Sequence, residues 1–277
     1  MNLTTHNRRL AGTAIAVVAL LGLTACTPAT ATVESSQDGA LGTLKVGALA
    51  TPAGDILNFV QDNLASDAGL EVVFTEFTDY NTPNTALSDG SVDANLFQNE
   101  NFLANYNEQA GGDLVSLGAI YLPTAAFYSE RVSSLDELQD GAKIAIPNDP
   151  TNEGRALKIL ADAGLIGITA EPTTLADVTD NPRNFSFIEV ENATLPQAVP
   201  DVDTAFVTIA FALPAGLTAD QAILVEGEDS NYFNVLAVRP ELADDARVLK
   251  LKELLQSDQA QQFMIDTWGG LVVPAAK

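Results

Sequence analysis

Apolar residues recur along this 277-residue chain in two rhythms that alternate with each other. Positions 44–50 (Leu-Lys-Val-Gly-Ala-Leu-Ala) are almost continuously apolar, the pattern of a strand buried on both faces. Over 52–65 the apolar residues Ile56, Leu57, Phe59, Val60 and Leu64 fall near helical spacing, and Gly69 stops the segment. Positions 70–77 alternate as a second strand. The same reading places a short helix at 83–88, a strand at 94–97, a helix over 99–110 and an apolar strand at 114–121. The rhythm then restarts with a strand at 143–146. A helix follows, with Asp149 as its N-cap and Pro150 at its first position, running to Ala163 with Gly164 as its cap. Strands at 185–190 and 204–208 come next, and 240–269 reads as mostly helical and amphipathic. Strands alternating with helices predict an α/β layer fold with a largely parallel sheet. There is no sequence-level internal repeat. Two such blocks, joined near 122–128 and again near 226–234, leave a cleft between them, where small ligands bind.

One apolar run fits neither rhythm. Residues 10–22 follow Arg8-Arg9, are too short for the ~20 residues that span a bilayer, and lead into Leu23-Thr24-Ala25-Cys26. A basic start, a short apolar centre and small residues before a cut site describe a secretory signal over 1–25. Cys26 is the only cysteine in the chain. From Thr27 to Thr43 the sequence has no apolar periodicity and reads as a solvated tether, whose 17 residues reach roughly 60 Å when fully stretched.

Charge narrows the partners. Lys and Arg number 13 against 37 Asp and Glu, a formal net charge of −24. Loss of Arg8 and Arg9 with the signal leaves 11 basic residues, and the mature charge is −26. Such a surface disfavours nucleic acid, whose phosphates need Lys and Arg, and disfavours adsorption to anionic lipid. The single histidine, His6, also leaves with the signal. Metal sites built on His or Cys are therefore excluded, as are Ser-His-Asp and Cys-His nucleophile systems. Neither standard glycine-rich phosphate loop occurs. No cofactor is expected, and an exported enzyme is the weakest of the functional readings.

Leu23-Thr24-Ala25-Cys26 resembles a bacterial lipobox, which implies a diacylglycerol thioether on Cys26 and cleavage before it. Several further segments resemble one family. They are Phe77-Thr-Asp-Tyr80-Asn-Thr-Pro-Asn84, Gly90-Ser-Val-Asp-Ala-Asn-Leu-Phe97-Gln98, Ser134-Leu-Asp-Glu-Leu138, Pro147-Asn-Asp149-Pro150-Thr-Asn152-Glu-Gly154-Arg155 and Tyr232-Phe-Asn234. Over about 44–270 the chain is similar to the NlpA/methionine-binding lipoprotein family, the substrate-binding subunits of methionine-type ABC importers. The resemblance implies a two-lobed, type II periplasmic-binding-protein-like α/β fold with the ligand cleft between lobes. Lobe I would comprise 44–123 and 232–277, and lobe II 124–231, after a lipidated tether over 26–43. It further implies a small amino-acid-like ligand, a permease–ATPase partner complex, and attachment by acyl chains, palmitate among them, at the extracytoplasmic face of the cell membrane.

The family's site residues map one at a time. Its carboxylate-pairing arginine falls on Arg155, a guanidinium whose planar donors suit a carboxylate. Asn152 lies one turn earlier on the same helix face, near an N-terminus that favours anions. Asn234 matches a backbone-recognising asparagine, and Tyr80 and Phe97 match aromatic members of the side-chain pocket. Where the family pattern reads Phe-Gln-His-x-x-Tyr, this chain has Phe97-Gln98-Asn99-Glu100-Asn101-Phe102, so Asn99 and Phe102 replace an imidazole and a phenol. Thr208 stands where a further asparagine is expected and offers one hydroxyl instead of an amide. These departures leave the ligand open among methionine, D-methionine, another apolar amino acid and a methionine-containing dipeptide. A lipid-anchored adhesion or scaffold protein is the competing reading from another class.

Replacing Cys26 by serine removes the acylation point. The Cys26→Ser protein is expected to leave the membrane fraction or to persist as the uncut precursor. Fractionation and gel migration identical to wild type would contradict the lipoprotein reading.

Overall fold

The computed structural model describes residues 39–227 and 230–276, so the signal, Cys26 and the tether as far as residue 38 lie outside the described residues. Along the chain come β1 (Gly42–Leu49), α1 (Asp55–Val60), β2 (Leu70–Phe77), α2 (Pro83–Ser88), β3 (Ala94–Asn95), α3 (Glu100–Ala110) and β4 (Val115–Pro123). There follow β5 (Ala125–Tyr128), β6 (Lys143–Pro147), α4 (Pro150–Asp162), β7 (Gly167–Ile168), β8 (Val178–Asp180), β9 (Ser186–Val190), α5 (Leu195–Ala198), β10 (Thr204–Thr208), α6 (Ile209–Ala212) and β11 (Ala222–Val225). The last elements are β12 (Asn234–Val238), α7 (Ala246–Leu255), α8 (Asp258–Trp268) and β13 (Val272–Pro274).

Two sheets divide these strands into two lobes. The first has the order β13-β4-β12-β3-β1-β2 and the second β11-β5-β10-β6-β9, with β7 and β8 forming a small separate hairpin. Both sheets are mixed, which corrects the expectation of a largely parallel one. β1 is parallel to β2 and β3, and β6 to β9 and β10. β12 is antiparallel to β3 and β4, and β5 to β10 and β11. The cause is topological. The chain leaves the first sheet on β4 and returns on β12, so those neighbours run opposite ways. It enters the second sheet on β5 and leaves on β11, with the same result.

The patterning explains the layers. In β12 successive side chains point to opposite faces. Leu236 and Val238 join a core with α1 (Ile56, Leu57, Val60), α7 (Val248, Leu251, Leu255) and α8 (Ala260, Met264). Val235 and Ala237 join the opposite layer with Leu87, Val92, Leu103 and Leu114. In the second lobe Ile144, Ile146 and Phe206 pack with Ala156, Leu157 and Leu160 of α4, and Leu49 and Phe97 of the first lobe extend that same cluster. Each fully buried Leu or Ile side chain contributes about 1.5–3 kcal/mol. Elsewhere local chemistry overrides the expected boundaries. The helix expected over 240–269 breaks at Ser257, whose hydroxyl accepts from Ala260 N–H at 3.2 Å and starts a new helix. The strand expected at 94–97 pairs only at Ala94 and Asn95, and beyond them Phe97 and Gln98 line the cleft.

A single residue, Thr124, separates β4 from β5. Its N–H and hydroxyl both donate to Leu271 O, at 3.1 and 3.0 Å, and its carbonyl accepts from Ile209 N–H at 3.0 Å. This crossing is therefore bonded to both lobes.

The segment from Asn148 to Arg155 folds as its residues dictate. Asp149 accepts from Asn152 N–H at 2.9 Å as the N-cap of α4, and Pro150 occupies the first turn. Gly154 allows the helix to touch the neighbouring loop, since a Cβ there would lie 2.1 Å from Pro172 O. Alanine normally favours a helix over glycine by about 0.5–1 kcal/mol. Gly154→Ala is instead expected to destabilise the protein by roughly 1–3 kcal/mol, because a backbone contact must open. A lowered urea midpoint at unchanged slope checks this, and a raised midpoint would contradict it.

Candidate functional site

Seven of the eight residues singled out in the sequence meet in one small pocket between the lobes. Tyr80, Phe97, Asn99, Phe102, Asn152, Arg155 and Asn234 line it, together with Gln98 and Pro123. The eighth, Thr208, reaches it through Tyr80, whose hydroxyl lies 3.0 Å from Thr208 Oγ1 and so bridges the two lobes. Desolvation pushes the Tyr80 phenol up to about 12, so it is a neutral hydrogen-bonding group.

One wall is aromatic. Tyr80 packs against Phe97, Phe102 and Phe211 at ring-centroid distances of 5.8, 5.9 and 4.8 Å, and Phe97 meets Phe102 edge-on at 5.8 Å. Such tilted pairs are favourable arrangements for aromatic rings. Its free volume is about 10 Å³, and a second void of about 10 Å³ is also lined by Tyr80, Phe97 and Asn234. Each holds no more than a single water. An amino-acid side chain enters only as these rings move or the lobes part. A wider concavity of about 350 Å³ lies elsewhere, between α3 and α4, but its rim residues Asn101, Glu108, Glu171 and Asn231 are exposed.

The polar wall is built on helix termini and on the return strand. Asn99 caps α3, its Oδ1 accepting from Phe102 N–H at 3.0 Å. Asn152 donates through Nδ2 to both oxygens of Asp149, and Asn192 Nδ2 braces the same carboxylate at 2.7 Å. Asn234 donates to the Tyr121 hydroxyl at 3.1 Å, and its backbone bridges to Asn99. Beneath the pocket Gln98 belongs to a buried amide triad. Gln98 and Asn84 exchange hydrogen bonds at 2.7 and 2.6 Å, and each also bonds Asn95, at 3.0 and 2.9 Å.

Arg155 is the centre of the site. It is 2 % exposed, so its charge must be matched locally. Its Nε and Nη2 donate to Glu226 Oε1 and Oε2 at 2.8 and 2.5 Å, Nη2 also donates to Pro123 O at 2.8 Å, and the Tyr232 ring lies 4.8 Å from its Cζ. The guanidinium edge thus faces Glu226, a residue that no motif singled out. Its sequence signal was faint, an acidic residue directly after the apolar run 222–225. Tyr232, Gln98, Phe211 and Asn192 also lacked an assigned role in the sequence reading.

Four side-chain polar atoms of the lining residues make no hydrogen bond to any described residue. They are Arg155 Nη1 and Asn99 Nδ2, which are donors, and Asn152 Oδ1 and Asn234 Oδ1, which are acceptors. Donors suit a carboxylate and carbonyl acceptors suit an ammonium. The apolar rings stand beside both. Among the described residues no group of three His, Cys, Asp or Glu converges as a metal site, and no helix is long and apolar enough to cross a membrane.

A family model of NlpA lipoproteins matches residues 44–276. The chain is 38 % identical over 234 residues to the D-methionine-binding lipoprotein MetQ of Salmonella typhi, covering 82 % of this chain and 86 % of that one. Among solved structures it matches a lipoprotein from Actinomyces odontolyticus at 38 % identity and a TM-score of 0.81, over 85 % of this chain and 100 % of the other. It also matches a nutrient-binding protein from Burkholderia cenocepacia bound to methionine, at 36 % identity and a TM-score of 0.81, over 84 % and 100 % of the two chains.

The helix that carries Arg155 also holds a buried acid. Glu153 is 2 % exposed, and its Oε1 accepts from Leu175 N–H at 2.6 Å. Desolvation, against the lowering effect of that bond and with Glu189, Asp149 and Asp177 nearby, pushes its carboxyl from 4.5 to about 7. The folded protein therefore keeps a proton that the unfolded chain releases, and stability falls as pH rises from 4.5 through about 7. Glu153→Gln removes this loss. Relative to the variant, wild type is expected to lose on the order of 1–3 kcal/mol between pH 5 and 8, measured by urea unfolding at each pH. Parallel pH profiles for the two proteins would contradict it.

Proposed function

This chain belongs to the NlpA lipoprotein family, and on that footing we propose that it is the lipid-anchored substrate-binding protein of an ABC importer. It takes up methionine or a related neutral amino acid outside the cytoplasmic membrane and delivers it, unchanged, to a permease driven by an ATPase. The observation that carries this reading is the pairing, in one buried pocket, of an arginine nitrogen and amide groups with a wall of aromatic rings. An α-amino acid with an apolar side chain presents the matching set of carboxylate, ammonium and hydrocarbon. In this reading Arg155 and Asn99 receive the carboxylate, Asn152 and Asn234 the ammonium, and Tyr80, Phe97 and Phe102 the side chain. Thr208 acts through Tyr80. Binding without chemistry is supported by the composition of the pocket, which offers amides, rings and one guanidinium but no nucleophile paired with a base. Cys26 supplies the anchor, and the acidic surface leaves the acyl chains to hold the protein at the membrane.

Native mass spectrometry of the soluble form, followed by calorimetry with L-methionine, D-methionine, glutamine and methionine dipeptides, tests the reading. At least one neutral amino acid or methionine peptide is expected to bind stoichiometrically and to be recovered intact. At one hundred times its dissociation constant it stabilises the fold by about 2.7 kcal/mol. Turnover of the bound compound, or no stabilisation by any member of the panel, would overturn the assignment.

A further inference from the structure

The hydrogen bonds around Glu226 carry the site one step further. A carboxylate offers about four lone-pair positions, and all of Glu226's are used. Oε1 accepts from Arg155 Nε and from the Ser230 hydroxyl, both at 2.8 Å. Oε2 accepts from Arg155 Nη2 at 2.5 Å and from Ala125 N–H at 3.2 Å. Glu226 does not line the small pocket and stands on the other side of the guanidinium. It therefore has neither the capacity nor the position to receive a ligand ammonium.

The donor count on Arg155 gives the complement. Of its five N–H bonds, the one on Nε and the two on Nη2 are directed to Glu226 and Pro123 O. Among the described residues only the pair on Nη1 finds no partner, and Tyr232 covers a face of the plane at 4.8 Å. A ligand carboxylate is thus met end-on by Nη1, not by the two-nitrogen edge. The cation is also already balanced by Glu226, in a contact where the two side chains are only 2 % and 4 % exposed.

We propose that Glu226 is a specificity-determining residue of the amino-acid site. It pins Arg155 from behind and neutralises it, so that the pocket selects a zwitterion over a simple carboxylate anion. This rests on the amino-acid-binding reading above. With Arg155 balanced by Glu226, the pocket attracts an anion far less than a bare guanidinium would, whereas a zwitterion also brings an ammonium to the carbonyls of Asn152 and Asn234. Removing the negative charge of Glu226 leaves an unbalanced buried cation and favours the anion.

The test compares L-methionine with its 2-hydroxy analogue, which keeps the side chain and carboxylate but lacks the ammonium. Calorimetry gives the affinity ratio in wild type, Glu226→Gln and Glu226→Asp, after thermal unfolding has checked each fold. The wild-type ratio is expected to favour methionine. It should fall roughly tenfold or more in Glu226→Gln, since a unit charge a few ångströms away weighs that heavily in a protein interior. Glu226→Asp, which keeps the charge, should restore most of the ratio. A purely structural role would weaken both ligands together. An unchanged ratio in Glu226→Gln, or an equal change in Glu226→Asp, overturns the proposal. Arginine side-chain ¹⁵N spectra of wild type give a second measurement that needs no variant. Methionine should perturb Nη1 and leave Nε in place, and a large shift at Nε, marking displacement of Glu226, overturns the proposal. Absence of methionine binding by wild type overturns instead the choice of methionine as ligand, and with it this inference.

Discussion

A guanidinium removed from water is the constraint around which this molecule is arranged. Arg155 is almost fully buried, and an isolated charge in that position would cost many kcal/mol. The structure offsets that cost with partners drawn from distant parts of the chain. Pro123 O comes from the end of β4, Glu226 from just beyond β11, and Tyr232 from just before β12. These are the segments by which the chain passes between its lobes. The guanidinium that lines the pocket is thus also the group that ties the two passages together. Removing one partner of such a pair leaves the other charge exposed to a low-dielectric interior, so stability and the geometry of the pocket are coupled at this point.

The helix beneath the arginine shows how closely local sequence can serve a site. In α4 the cap, the first-turn proline, the close-approach glycine and two pocket residues fall within Asp149–Arg155. Asp149 satisfies the backbone of the first turn while orienting Asn152 through its amide. With its nitrogen committed there, the Asn152 carbonyl is left available. One acidic side chain thereby caps the helix and orients a pocket side chain together.

Much of this was legible in the residues. Periodicity located β1, β2, β6, β10, α3 and α4, and Asp149-Pro150 marked the start of α4, because those signals are local. The motif segments pointed to residues that the fold gathers in one pocket, although they are separated by as many as 154 positions, from Tyr80 to Asn234. What escaped was non-local. The strands β5, β11 and β12 were not anticipated, the first lying where the sequence suggested a connection, and their direction depends on how often the chain changes lobe, which no short window records. Glu226 was indistinguishable from the other acidic residues of a strongly acidic chain until its partner was known. The commitments of Asn99 Oδ1 to a helix cap and of Thr208 to Tyr80 were likewise invisible, because each depends on a backbone or side chain brought up by folding.

The amide triad of Asn84, Asn95 and Gln98 has an implication for how such a sequence can change over time. Each member satisfies the others, and none has a nearby water-exposed alternative, since all three are at most 2 % exposed. Exchanging one of them for an apolar residue takes at least one hydrogen bond from each of its two former partners in the interior, whereas exchanging all three together for residues of matching shape need not be costly. The three positions therefore form a single heritable unit. A single exchange there leaves polar groups under-satisfied at a cost of about 1–3 kcal/mol each, so the floor of the pocket is expected to change in concert, a coupling through hydrogen bonds that Phe97 and Phe102 above it do not share.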